Sequence, residues 1–340
     1  MKKVAVVILN WNGKSWLEKF LPSVVAYTSN PDYDIIVADN GSTDDSITYT
    51  ETHFPSVKIL ALDKNYGFTG GYNRALKMVN AEYFVLLNSD IEPSENWLDI
   101  LVAQMDANPK IGACQPKILA YNEKDTFEYA GASGGFIDYL GYPFCRGRIF
   151  FTAEKDDLQY ENDLEVFWAT GACLMIRAEL YEKAGGLDED FFAHMEEIDL
   201  CWRLQNLDYK VKVFPKSVVY HVGGGTLHKE NPKKTYLNYR NNLALLYKNL
   251  PFPSNYFVVF KRMVLDGIAG THALTKGEYK NTIAIVKAHL AFYAWLPNLY
   301  AKRKKIVHKK TLYELDGVHF KSIVFQYFLK KKKTFIEIIK

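Results

Sequence analysis

Four compact runs of β-branched and aliphatic residues, at 4–9 (VAVVIL), 34–38 (DIIVA), 57–62 (VKILAL) and 83–87 (YFVLL), punctuate the first hundred residues of this chain. Continuous apolar runs of that length read as strands buried on both faces. The segments between them carry helical spacing. Trp16, Leu17, Phe20, Leu21, Val24 and Val25 mark a helix over 15–27, and further helices are predicted at 43–52 and 70–79. Repeated strand–helix units require right-handed crossovers and a parallel, doubly wound α/β sheet. Ligands of such sheets bind beyond the carboxyl ends of the strands, so the loops at 10–13, 39–44, 63–71 and 88–92 form the expected binding edge.

Downstream the pattern weakens. Residues 120–165 are rich in Gly and Tyr and show no clear period, 166–176 (VFWATGACLMI) read as a strand region, 178–184 and 197–206 as helices, and 211–213 as a short strand. From 235 onward the chain reads as helical and basic. The formal charge of +3 hides this division: residues 1–240 carry 24 Lys+Arg against 34 Asp+Glu, whereas 241–340 carry 18 against 5. With 48% hydrophobic residues and a mean hydropathy of −0.17, the chain is neither disordered nor a bundle of membrane spans. No apolar run reaches the roughly 18 residues of a membrane-spanning helix. Six apolar residues after Met1-Lys2-Lys3 are too few for a secretory leader. Cys114, Cys145, Cys173 and Cys201 stand far apart, which suggests reduced thiols in a cytoplasmic protein rather than a zinc knuckle or disulfide framework.

The unusual residues fall in the expected loops. Asp39-Asn40-Gly41-Ser42-Thr43-Asp44 either caps the next helix or offers Asp39 to a nucleotide's base or ribose. Asn65 to Asn73 (NYGFTGGYN) places Gly67, Gly70 and Gly71 at the opening of the third predicted helix, where free N–H groups attract phosphate. This is neither a Walker A loop nor a dinucleotide fingerprint, both of which need their glycines after the first strand, where only Gly13 stands. Asp90, in Asn88-Ser89-Asp90 after a buried strand, suits Mg²⁺ or Mn²⁺ bridging diphosphate oxygens, or caps a turn before Pro93. Glu196-Glu197-Ile198-Asp199 crowds three acids, an arrangement that raises a carboxyl pKa toward general-base use, or lines an acidic first helical turn. His221 ends a short apolar run before Gly223-Gly224-Gly225 and is a candidate metal or phosphate contact, while His194 and His228 lack such placement.

Taken together, VVILNWNG (6–13), VADNGSTDDS (37–46), NYGFTGGYN (65–73), LLNSDIEP (86–93), the stretch 169–203 and VYHVGGGT (219–226) resemble family-2 glycosyltransferases of the GT-A fold, in the rhamnosyltransferase-like branch that builds bacterial surface polysaccharides. The resemblance implies an inverting transfer of a sugar from a nucleoside-diphosphate donor, such as a dTDP- or UDP-sugar, to a glycan or lipid-linked acceptor. By position it implies that Asn12, Asp39, Asn40, Asn65, Gly67, Phe68, Gly70, Asn73, Asn88 and Asp90 hold the nucleotide sugar. It gives Asp90 and His221 to a divalent cation, Glu197 or Glu196 to the base, and Trp168, Thr170, Gly171 and Asp199 to the acceptor side. It implies a GT-A domain over 1–240, with a nucleotide-sugar half to about 120 and an acceptor half beyond, then a basic helical extension over 241–340.

Two departures stand out: Asn-Ser-Asp lacks one carboxylate of the family's metal motif, and Glu-Glu replaces the more usual pairing with Asp. They leave two alternatives, a nucleotidyltransferase of the same fold neighbourhood and an inactive sugar-nucleotide-binding scaffold. The basic extension lacks a nucleic-acid motif and suggests either ordinary solvated helices or docking on an anionic membrane surface. Nothing in the sequence specifies an oligomeric state.

Overall fold

A computed structural model describes residues 1–223, 232–306 and 309–340, so 224–226 of the VYHVGGGT stretch and His228 lie outside the described residues. The chain opens with the expected alternation: β1 (Lys2–Asn10), α1 (Lys14–Ala26), β2 (Tyr33–Asp39), α2 (Ser46–His53), β3 (Lys58–Ala61), α3 (Gly67–Leu76) and β4 (Ala81–Leu87). β1 pairs in parallel with β2 and β4, and β2 with β3, so Asn10 and Asp39 end side by side. Val4, Val6 and Val7 are fully buried, as a strand covered on both faces requires.

β5 (Ile91–Pro93), α4 (Trp97–Ala107) and β6 (Ile111–Ala120) follow. The segment without a clear period forms β7 (Gly135–Asp138), β8 (Pro143–Cys145), β9 (Arg148–Ile149) and β10 (Thr152–Ala153), a second small sheet. Then come β11 (Leu164–Glu165), β12 (Cys173–Arg177), α5 (Ala178–Lys183), α6 (Glu196–Asn206) and β13 (Lys210–His221). The main sheet runs β11-β13-β6-β12-β4-β1-β2-β3, with β5 on β13. β12 lies antiparallel between β4 and β6, with Cys173 opposite Leu87. That reversal brings residues 168–172 to the same edge as the ends of β1, β2 and β4. β13 extends well beyond the expected 211–213; its register shifts between Phe214 and Val218, across Pro215, which cannot donate to a ladder.

In the C-terminal third, the expected division at residue 240 falls inside α7 (Pro232–Asn249). Leu243, Ala244, Leu245 and Leu246 face every direction around that helix and are all buried, as an all-round apolar segment must be. α8 (Ser254–Thr275) and α9 (Tyr279–Lys305) pack beside it. The end of the chain is not simply a helical extension. β14 (Val318–His319) joins β7 in parallel, and Phe335 of α10 (Phe335–Ile339) packs on Phe136, Phe144 and Tyr160. All four cysteines are free and buried.

Candidate active site

At the ends of β1 and β2 most of the predicted contacts turn inward. The Asp39 carboxylate is buried, with Oδ1 accepting from Asn10 Nδ2 (3.0 Å) and Oδ2 from the Ser42 amide (2.9 Å). Asn40 Nδ2 donates to Asn65 Oδ1 (3.1 Å) and Gly67 O (3.0 Å), while its Oδ1 accepts from the Tyr66 amide (2.9 Å). Asn65 Oδ1 also takes the Gly67 amide at 2.8 Å. These hydrogen bonds shape the loops at the binding edge, and Asn65 itself stays exposed. Asn12 remains exposed at φ +49°, its Oδ1 accepting from the Thr43 amide at 2.7 Å.

α3 begins three residues earlier than predicted, so its glycines lie inside the helix. A Cβ on Gly71 would sit 2.8 Å from Leu9 Cδ1, so that glycine permits close packing. On Gly70 it would sit 3.1 Å from Tyr66 Cβ and Arg74 Nη1. Asn73 is committed elsewhere: it accepts from Tyr181 Oη (2.6 Å) and the Leu187 amide (3.0 Å) and lines a separate cavity of about 720 Å³.

The groups after β4 converge. His221 Nε2 lies 3.1 Å from Asp90 Oδ1 and 3.3 Å from Asn88 Nδ2, and its Nδ1 lies 3.2 Å from Glu128 Oε2. Burial disfavours the imidazolium, but Asp90 and Glu128 outweigh it and push the His221 pKa up to about 10. Glu128 escaped sequence reasoning because it sits in the stretch without a period. A Cβ on Gly223 would collide with Glu128 Oε1, so that glycine leaves room for the carboxylate. The Asn88 amide donates to Ala172 O (2.9 Å), which seats the 170–172 segment beside this cluster. A Cβ on neighbouring Gly171 would lie 3.4 Å from Phe68 Cζ and 3.8 Å from Glu197 Cβ. Phe68, Asn88, Asp90, Gly171, Glu197 and His221 therefore belong to one continuous site.

The acid motif separates into distinct roles. Glu196 Oε2 and Glu197 Oε2 are shut from solvent and have no hydrogen-bond partner. Desolvation, then the Glu197 charge, raises the Glu196 pKa well above the carboxylate range, while desolvation pushes Glu197 up to about 7. Glu196 is thus held neutral and Glu197 is poised to take a proton near neutral pH. Asp199 is not an acceptor contact. It is fully buried and held by Arg203 (2.8 Å), Lys248 (2.8 Å) and Asn249 (2.8 Å). Trp168 and Thr170 are likewise structural. The Trp168 indole donates to Phe136 O (2.9 Å) and packs over Gly135; Thr170 is buried, its amide bonded to Gln115 Oε1 (2.9 Å).

The loop before α6 is strained, with Phe192, His194 and Met195 at φ +66°, +70° and +75°. Burial, then the charge of Lys234, pushes the His194 pKa down to about 4. Asn241 of α7 secures the loop: its Nδ2 donates to Phe191 O (2.9 Å), Ala193 O (2.9 Å) and His194 O (2.8 Å). Asn241→Ala should release these carbonyls and lower kcat by about ten- to a hundredfold through misplacement of Glu197. Its pH–rate midpoint should fall toward an ordinary carboxyl as water enters, whereas an unchanged midpoint would show that Asn241 supports only the fold.

Comparison with known proteins bears on this arrangement. The sequence model described as "Glycosyl transferase family 2" matches residues 5–185, more than half of the chain. An N-acetylglucosaminyl-diphospho-decaprenol L-rhamnosyltransferase of Mycobacterium tuberculosis is 27% identical over 234 residues, covering 64% of this chain and 75% of that protein. The O-antigen biosynthesis protein RfbC of Myxococcus xanthus is 28% identical over 225 residues, covering 64% of this chain but 17% of that protein. Among solved structures, GalNAc-T7 with UDP, GalNAc and Mn²⁺ superposes with a TM-score of 0.59 at 14% identity, over 88% of this chain and 58% of that one. The mannosyltransferase PcManGT of Pyrobaculum calidifontis, in complex with GDP-Man and Mn²⁺, gives 0.52 at 14% identity, over 98% and 89%. These structural likenesses concern the fold, which is GT-A.

Proposed function

The chain belongs to glycosyl transferase family 2 and is a glycosyltransferase; from that premise we propose that it is of the rhamnosyltransferase-like branch and performs an inverting transfer from a nucleoside-diphosphate sugar to a glycan or lipid-linked acceptor in cell-envelope polysaccharide synthesis. The observation that carries the reading is the single Glu197 carboxylate, poised near pH 7, in a site continuous with Asp90 and His221. The acceptor oxygen attacks the anomeric carbon as Glu197 takes its proton. The bond from that carbon to the diphosphate breaks on the opposite face, and the diphosphate leaves with the electron pair. Glu196, neutral beside it, adds no second charge to the pocket.

The donor set fits a divalent cation, Mg²⁺ or Mn²⁺. Asp90 Oδ1 and His221 Nε2 converge, and His221 would offer a lone pair there only after giving up its proton, while Glu128 Oε2 lies 3.2 Å from the other ring nitrogen. Among the described residues no group of three such ligands forms, so a cation held by Asp90 and His221 would need further ligands from the substrate or water. When bound, the cation would neutralise charge developing on the leaving diphosphate. The buried free thiols accord with a cytoplasmic location.

The test adds a lipid-linked acceptor to enzyme loaded with each of a panel of dTDP- and UDP-sugars. Acceptor-dependent release of nucleoside diphosphate is expected, with EDTA suppressing it. Release of pyrophosphate would support the nucleotidyltransferase alternative, and tight donor binding without turnover would support a scaffold.

A further inference from the structure

Two exposed apolar stripes run along the α8–α9 hairpin. On α8, Phe257, Phe260, Val264 and Ile268 are 65%, 68%, 50% and 61% exposed; on α9, Ile283, Val286, Leu290 and Tyr293 are 48%, 54%, 65% and 54% exposed. Spacings of three and four place each set on one helix face. The inward faces are already occupied, by Val259, Arg262 and Asp266 on α8 and by Ala284, Ala288 and Phe292 on α9. The stripes are therefore second faces, not the core side of either helix. They adjoin where Tyr293 Oη reaches Met263 Sδ at 3.5 Å, one turn from Phe260.

Exposed Lys261, Lys276, Lys280 and Lys287 border the stripes, while between residues 252 and 293 the acids are Glu278 and the buried Asp266. We propose that this hairpin seats on an anionic lipid surface, its stripes at the headgroup–acyl boundary and its lysines against lipid phosphates. A contiguous apolar patch of this kind is uncommon on a protein surface bathed in water. Apolar faces bordered by lysine have the composition of interfacial helices. No helix among the described residues is long and apolar enough to cross a membrane, so the hairpin lies on the bilayer. A second copy fits poorly, because two-fold pairing of this face would set its lysines against their own copies.

Docking also fixes the site relative to the bilayer. Arg262 of α8 donates to Asn242 Oδ1 (2.5 Å), beside the Asn241 that holds the loop preceding Glu197. A lipid-linked acceptor would then be met at a fixed depth.

The experiment is co-sedimentation of the full chain with vesicles of phosphatidylcholine plus phosphatidylglycerol, against phosphatidylcholine alone. Wild-type protein should bind the anionic vesicles at least about tenfold more tightly. Phe257→Ser/Phe260→Ser/Leu290→Ser and, separately, Lys261→Gln/Lys287→Gln should each lose most of that binding while keeping the wild-type circular dichroism. Equal binding by wild type and both variants, or no binding at all, overturns the proposal. So does a wild-type dimer that the serine variant dissociates in the absence of vesicle binding. Vesicle binding is read without donor or acceptor, so its failure leaves the transfer reading standing.

Discussion

Glu197→Gln should reduce transfer by about a thousandfold, within the range expected for loss of a general base, while donor binding is unchanged. The substitution keeps the side chain's shape and removes its ability to accept a proton. Wild-type activity should rise with pH through a midpoint near 7 and level off above about 8, because the base must be ionised and burial holds its pKa near 7. The same group leaves a mark on stability. Its ordinary value is 4.5, so between pH 4.5 and about 7 the native state holds a proton that the unfolded chain has released. Stability contributed by this site is therefore full below 4.5 and is lost as pH rises through 7. Glu197→Gln should flatten that slope in urea titrations at pH 5 and pH 7. Near-normal turnover in the variant would remove Glu197 from the mechanism, and Glu196→Gln with greater loss would transfer the role.

Lys248→Met should destabilise the fold by about 3–5 kcal/mol, as expected when one partner of a buried ion cluster is removed. The Lys248 ammonium is almost fully buried and joins Asp188 (2.7 Å) and Asp199 (2.8 Å), so its loss strands charge in the interior. Burial alone would raise both acids. Lys248, with Lys302 at Asp188 and Arg203 at Asp199, instead holds them below the usual carboxylate range. The contribution of these ion pairs is present at neutral pH and is lost as pH falls through those depressed values. Denaturant unfolding at pH 7 measures the change. Lys248→Met/Asp199→Asn should cost less than the sum of the single variants, because the pair then leaves fewer unmatched charges. A Lys248→Met protein as stable as wild type would mean that water reaches the cluster.

Glu196 and Asp199 show why the acid motif could not be resolved from spacing. Positions 196 and 199 share a helical face in sequence, yet Asp199 is neutralised by α7, about fifty residues on, whereas Glu196 finds no partner. Local periodicity gives the direction of a side chain on its own helix and says nothing of the charge that will face it. Trp168 and Thr170 illustrate the same limit. They lie at the binding edge because β12 runs antiparallel, but Phe136 and Gln115 occupy their polar groups.

The alternating apolar runs of the first hundred residues determined the parallel core and the edge at which Asn12, Asn88, Asp90 and Phe68 stand, because burial on both faces leaves a strand little choice of neighbours. The ordered motifs likewise marked Glu197 and His221. Tertiary structure alone decided that Glu128 backs His221, that Asn241 clamps the strained loop, and that Asp39, Asn40 and Asn73 are spent on the scaffold. Those outcomes depend on contacts between residues distant in the chain. It also decided the nature of the basic C-terminal third. Its charge was plain in the sequence, but whether its apolar residues would be buried or left on an outer face depended on how much of α8 and α9 the core could cover.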